Sequence, residues 1–181
     1  MSAVDVILVD EADRPLGTME KLEAHTKGLL HRAISVYVFN RQGELMLQRR
    51  ASDKYHCAGL WSNTTCGHPL PQESNAHAAQ RRLREEMGLS LPLTPIFELR
   101  YNLALGNGMS EHEYGHVFFA CSDEHPCLNP QEADAWRYAS LPDLANAIAQ
   151  DPQPFTPWFL YTFPRIPTLA AAFFAGKNGK R

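Results

Sequence analysis

The chain has 181 residues, 44% hydrophobic and 20% charged, with a net charge of −3. That length supports a sizeable buried core in a single domain spanning residues 1–181, while the charge leaves no general attraction for a polyanion. Nucleic acid is thereby excluded as an expected partner, and a phosphorylated ligand would need a local cluster of Lys and Arg. No apolar run approaches the length of a bilayer span. Met1–Asp10 carries no basic leader, and the late apolar stretch is interrupted by Pro164, Arg165 and Pro167. A cytoplasmic protein with no membrane partner is the expectation. The four cysteines Cys57, Cys66, Cys121 and Cys127 read as reduced thiols, because neither a secretory signal nor a C-x-x-C pair accompanies them.

Val4–Val9 alternates as a strand and is closed by a turn at Asp13-Arg14-Pro15. Ile34–Phe39 and Glu44–Arg50 are two further strands, joined by a turn at Asn40-Arg41-Gln42-Gly43. A long polar loop, Ala51–Gln72, follows, and loops of that length in a compact domain are usually functional. Ser74 caps a helix that ends at Gly88, with Ala76, Ala79, Leu83 and Met87 as its apolar stripe. Ile96–Leu105 and Glu113–Ser122 form a hairpin around Gly106-Asn107-Gly108, and Trp136-Arg137-Tyr138 is a short strand. Leu141–Gln150 is a second helix, presenting Leu141, Leu144, Ala145 and Ile148 on one face. A bend at Pro152, Pro154 and Pro157 leads to an aromatic helical segment and a frayed tail over 176–181. Strands and helices mixed in this way, with short hairpin connections, define an α+β fold.

Three groups of residues bear on chemistry. The first is the series Gly67, Glu73, Arg81, Leu83, Glu85, Glu86, Gly88 and Leu89. Glu85 and Glu86 fall in the last turn of the helix that Gly88 ends, where their carboxylates suit a hard cation. A solvated helical face with Arg81–Glu85 and Arg82–Glu86 pairs is the plainer alternative. The second group is His25, His31, His68, Glu111 and Glu113, three imidazoles and two carboxylates that would nearly fill an octahedral shell. Glu111 and Glu113 point the same way if their segment is extended. The remaining histidines, His56, His77, His112, His116 and His125, read as incidental. The third is Cys66, next to Gly67 in Trp61-Ser62-Asn63-Thr64-Thr65-Cys66-Gly67-His68-Pro69. A free cysteine is more often apolar filler, an account that fits poorly in a polar loop.

The first group resembles the Nudix box, a loop–helix–loop that holds a divalent metal against a diphosphate. Where hydrolases of that kind carry Glu after the box Arg, this chain has Arg82, which removes a metal ligand and adds a fork for phosphate oxygens. Together, the Trp61–Pro69 stretch, the altered box and Glu111-x-Glu113 resemble type I isopentenyl-diphosphate isomerase, from His25 through Pro157-Trp158. The resemblance implies a Nudix-like mixed sheet flanked by helices, with added N- and C-terminal elements. It also implies conversion of isopentenyl diphosphate to dimethylallyl diphosphate through a tertiary carbocation. On that basis His25, His31, His68, Glu111 and Glu113 hold one divalent ion (Mn²⁺, Zn²⁺ or Mg²⁺). Glu86 and the Cys66 carbonyl hold a Mg²⁺ on the substrate diphosphate, and Lys21, Arg50, Lys54 and Arg82 contact that diphosphate. Cys66 and Glu113 exchange protons with the carbon skeleton, Tyr101 hydrogen-bonds the glutamate, and Trp158 faces the cation. The chain would act as a monomer or homodimer. Two rival readings are a Nudix hydrolase and a zinc-stabilised binding module; the first leaves Cys66 and Trp158 idle, and the second lacks compact Cys/His pairs.

Overall fold

The computed structural model describes residues 4–178. β1 (Asp5–Val9) forms on the expected alternation and pairs antiparallel with β2 (Pro15–Glu20). Between them Asp10 accepts the main-chain N–H groups of Ala12 and Arg14, each at 2.9 Å, which closes the turn. β2 has no signal in the sequence, because it is a largely exposed edge strand with no buried alternate face. α1 (Lys21–Lys27) is equally silent, since its buried set is only Ala24 and His25. Glu20 caps α1 by accepting the Glu23 N–H at 2.8 Å, and Gly28 ends it in the left-handed region at φ 63°.

β3 (His31–Phe39) begins upstream of the expected Ile34, and β4 (Leu45–Arg50) follows its turn as expected. The long polar loop contains two short strands, β5 (Trp61–Ser62) and β6 (Thr65–Gly67), which are too brief to show a period. α2 (Asn75–Met87) has the expected cap, Ser74 accepting the His77 N–H at 3.2 Å, and the expected left-handed Gly88. Its buried face differs in part: Ala79, Leu83 and Met87 are covered, but Ala76 is exposed and Ala78 and Glu86 are buried instead. The hairpin is β7 (Thr94–Ala104) and β8 (Ser110–Cys121), with β8 starting ahead of Glu113. β9 (Ala133–Ala139) extends the expected Trp136–Tyr138 strand to both sides. In α3 (Leu141–Gln150) Leu144 is the buried anchor, whereas Ala145 faces solvent. The aromatic segment is α4 (Pro157–Thr162), a 3₁₀ turn (Phe163–Arg165) and α5 (Ile166–Asn178). The expected tail is therefore helical through Asn178, and 179–181, like 1–3, lie outside the described residues. No helix among the described residues is long and apolar enough to cross a membrane.

Nine strands, among the described residues, join in one mixed sheet. The central pairing is parallel, β3 with β8, and sets His31 opposite Glu113 and Tyr37 opposite Phe119. Side-chain alternation then sorts the two faces. Tyr37, Phe39, Val117 and Phe119 face α4 and α5, while Ile34, Val36, Val38, Phe118 and Ala120 face α2. Phe119 meets the rings of Tyr37, Phe39 and Phe173 at 5.1–5.7 Å between centroids, contacts worth about 0.5–1.5 kcal/mol each beyond burial. His31, Glu111 and Glu113 lie on the same alternation as the aromatic face, at its end.

Candidate active site

The strand register places the first ligands. His31 on β3 lies across from Glu113 on β8, and Glu111 is two residues away on the same face. α1 delivers His25 from the side. Its Nδ1–H donates to the Lys21 carbonyl at 2.6 Å, and the Nδ1–H of His31 donates to Leu29 at 2.8 Å. Those bonds fix both tautomers and leave each Nε2 with a lone pair, buried and with no hydrogen-bond partner. His25 Nε2 faces Glu111 Oε2 at 3.4 Å and His31 Nε2 faces Glu113 Oε1 at 3.5 Å, while His68 Nε2 lies 3.0 Å from the same Glu113 oxygen. One donor atom from each of the five residues falls within 4.8 Å of all the others. Orphaned lone pairs aimed at carboxylate oxygens are unfavourable unless a cation lies between them. The five residues fit a divalent ion.

Burial and charge divide the two glutamates. Burial, then the neighbouring Glu113 charge, raises the Glu111 carboxyl above its usual range. Burial also acts against ionised Glu113, but its polar partners, the Tyr101 phenol among them, outweigh it and hold that carboxyl low. Tyr101 donates its phenol to Glu113 Oε2, and burial and that charge together push the phenol well above its ordinary value. Burial holds the His68 imidazole well below its ordinary value.

These groups floor a cavity of about 410 Å³. Lys21, Arg50, Lys54 and Arg82 line it together with Cys66, His68, Glu86, Tyr101, Glu111, Glu113 and Trp158, while His25 and His31 are buried behind the two carboxylates. The Cys66 thiol donates to Asn63 Oδ1 at 3.1 Å, and burial pushes its pKa up to about 12, so it keeps its proton at neutral pH. Trp158 is anchored by Nε1–H to Ser62 Oγ at 2.9 Å and carries the Arg50 guanidinium on its ring face at 5.1 Å. Glu86 accepts from Gln48 at 2.7 Å and from Arg82 at 2.5 Å. The box residues hold the loop: Glu73 accepts two bonds from Arg81 at 2.8 Å, and Arg81 reaches the His68 carbonyl at 3.1 Å. A Cβ on Gly67 would lie 2.9 Å from Arg82 Cγ, so only glycine there seats Arg82 in this position.

Glu132 and His56 are among the cavity residues that the sequence expectations give no role. Glu132 bridges the clamp, pairing with Lys54 and, at 3.2 Å, with Arg82. No local motif announces it. His56 reads as incidental in the sequence, yet it is buried in the cavity wall 3.5 Å from Glu111, with its pKa driven down to about 4 by burial. Of the other four, His77 pairs with Glu73, His112 with the Gly28 carbonyl and His116 with Asp13, and His125 packs on Trp136.

The family model of the NUDIX domain matches residues 29–159. Solved structures share the fold: a Deinococcus radiodurans protein has a TM-score of 0.75 at 19% identity, covering 89% of this chain and 98% of that one. A MutT protein from Methanosarcina mazei gives 0.63 at 20% identity, covering 77% and 94%. Sequence relatives are much nearer. An isopentenyl-diphosphate Delta-isomerase of Pectobacterium atrosepticum is 53% identical, over 96% of this chain and 97% of that protein. The isopentenyl-diphosphate Delta-isomerase 2 of Aromatoleum aromaticum is 48% identical over 89% and 85%. Fold, box and relatives agree, and the chain belongs to the NUDIX family and, within it, to the isopentenyl-diphosphate Delta-isomerases.

Proposed function

We propose that the protein interconverts isopentenyl diphosphate and dimethylallyl diphosphate, and that Cys66 and Glu113 carry the two proton transfers. The observation that carries this reading is the Cys66 thiol and the Glu113 carboxyl lining one cavity whose wall also holds Lys21, Arg50, Lys54 and Arg82. Moving the double bond requires a proton on the terminal carbon and loss of another two bonds away, through a tertiary carbocation. A group holding a proton and a group able to take one are both required. Cys66 supplies one of these groups and Glu113 the other, and the reverse reaction uses them in the opposite sense. Tyr101 fixes one oxygen of Glu113 and can pass its proton. Trp158 already holds a guanidinium against its face. Trp158 also lines the cavity, and a ring offered to the carbocation there is worth about 2 kcal/mol in a dry pocket, a rate factor of roughly 30.

Lys21, Arg50, Lys54 and Arg82 bind the diphosphate, with Glu86 and the Cys66 carbonyl holding Mg²⁺ on it. His25, His31, His68, Glu111 and Glu113 hold the second ion, and the mixed imidazole–carboxylate set suits Mn²⁺, Zn²⁺ or Mg²⁺. When bound, that ion polarises the Glu113 carboxyl and fixes its geometry. Hydrolysis is disfavoured because Arg82 stands where the hydrolase box carries a Glu, leaving one carboxylate fewer for water activation. Proton NMR of isopentenyl diphosphate with the enzyme in deuterated water tests the assignment. Double-bond transfer with label uptake is expected, and phosphate release without transfer would replace the isomerase with a hydrolase.

A further inference from the structure

We infer that His56 is a positioning residue of the metal centre, holding the outer oxygen of Glu111 while the other oxygen meets the ion. The inference rests on the five-residue site being a metal site. The two Glu111 oxygens have different neighbours: Oε2 faces His25 Nε2 at 3.4 Å, and Oε1 faces His56 Nε2 at 3.5 Å. The His56 side chain is only 7% exposed and forms part of the cavity wall. Nδ1 is buried and has no partner. A neutral imidazole has one N–H to give, and carried on Nε2 it lies 3.5 Å from the carboxylate oxygen that His25 leaves free, the outer limit of a hydrogen bond.

The ring is held so that it cannot turn away. Tyr55 packs against it at 4.5 Å and 85° between planes, and Trp158 at 5.8 Å and 86°. The His56 carbonyl accepts from Arg50 Nη2 at 3.2 Å, tying the main chain to the clamp. An apolar side chain would fill this wall without burying an unpartnered ring nitrogen, so packing alone does not account for a histidine. A carboxylate ligand with its second oxygen unrestrained is free to rotate or to chelate; with a fixed N–H on that oxygen it offers one oxygen in one direction. Loss of such an outer hydrogen bond typically weakens metal binding by about 10–100-fold.

The test is Mn²⁺ titration of the metal-free, full-length protein without substrate, read by electron paramagnetic resonance, alongside isomerase kinetics. His56→Phe keeps the bulk against Tyr55 and Trp158 but has no donor, and should weaken Mn²⁺ by about tenfold or more. His56→Gln places an amide N–H near the Nε2 position and should stay within about threefold of wild type. In saturating Mn²⁺ the kcat of His56→Phe should return close to wild type with KM for the diphosphate unchanged. Should Phe not be accommodated, His56→Leu carries the same comparison. Wild-type affinity in the Phe or Leu variant overturns the inference, as does equal weakening in Gln, or lost turnover that saturating Mn²⁺ does not restore. His31→Ala separates the two levels. If it abolishes Mn²⁺ binding while His56→Phe does not disturb it, the metal site stands and only the role of His56 falls; a wild-type protein that takes up no Mn²⁺ overturns both.

Discussion

Replacing Glu113 by Gln separates its proposed roles as metal ligand and proton carrier. The carboxylate takes the Tyr101 phenol on one oxygen and faces His68 at 3.0 Å and His31 at 3.5 Å on the other. Gln keeps one ligand oxygen but gives up the charge opposite the cation. Removing one charge-assisted interaction of this kind costs about 1.5–3 kcal/mol, or roughly 10–150-fold in metal affinity at 1.4 kcal/mol per decade. That deficit is recoverable by adding metal. The missing proton carrier is not, and positioned acid–base groups contribute about 10²–10⁴-fold. Glu111→Gln is the control, since Glu111 faces His25 and His56 rather than a phenol. The assay is turnover of both variants across a metal titration. Glu111→Gln should regain much of its rate in excess metal, whereas Glu113→Gln should level off at least about a hundredfold below wild type. Equal rescue of the two would make Glu113 a ligand only and move the proton chemistry to Tyr101.

Cys66→Ala should leave the fold and diphosphate binding near wild type, since it removes a single thiol, while turnover falls by several orders of magnitude. A variant with near-normal turnover would take Cys66 out of the mechanism. Arg50→Ala and Lys54→Ala should each raise KM by about 10–150-fold, from a charge-assisted contact of about 1.5–3 kcal/mol; calorimetry with a diphosphate analogue that finds unchanged affinity would place the clamp elsewhere. Glu73, held at about 2 by hydrogen bonding to Arg81, has a depressed pKa. Its stabilisation is therefore full above the unfolded value near 4.5 and is lost as pH falls toward 2. Glu73→Gln should cost about 1–2 kcal/mol at pH 7 after allowance for solvent screening, with a smaller gap at pH 3; urea unfolding that shows the same gap at both pH values refutes the pairing.

The parts of the fold legible in sequence are those with enough length to show a period or a cap. α2 declares itself through Ser74, the Ala79–Leu83–Met87 stripe and Gly88. β2, α1, β5 and β6 do not, because edge exposure or a few residues leave no pattern to read. The box residues sit close together in the chain, so their joint role is visible. His25 and His31 are assigned by resemblance alone, as no spacing links them to Glu111 and Glu113; the links are the parallel β3–β8 register for His31 and the packing of α1 against β8 for His25, distant pairings that local patterns do not encode. His56 and Glu132 are illegible for the same reason, since what brings them to the cavity is loop path and packing.

That parallel register limits how the chain can change length. Residues on β8 alternate between faces, so Glu111 and Glu113 point one way and His112 and Tyr114 the other. Inserting one residue between His112 and Glu113 would carry His112 into the place of Glu111 while the rest of the strand stayed paired with β3. The nearby turn at Gly106-Asn107-Gly108, with all three residues at positive φ and nothing within 4 Å of a Cβ built on either glycine, has no such constraint. Length variation in this hairpin should therefore collect at its tip, and a purifiable protein with a single-residue insertion there should still bind Mn²⁺ when the same insertion about four residues later has abolished binding.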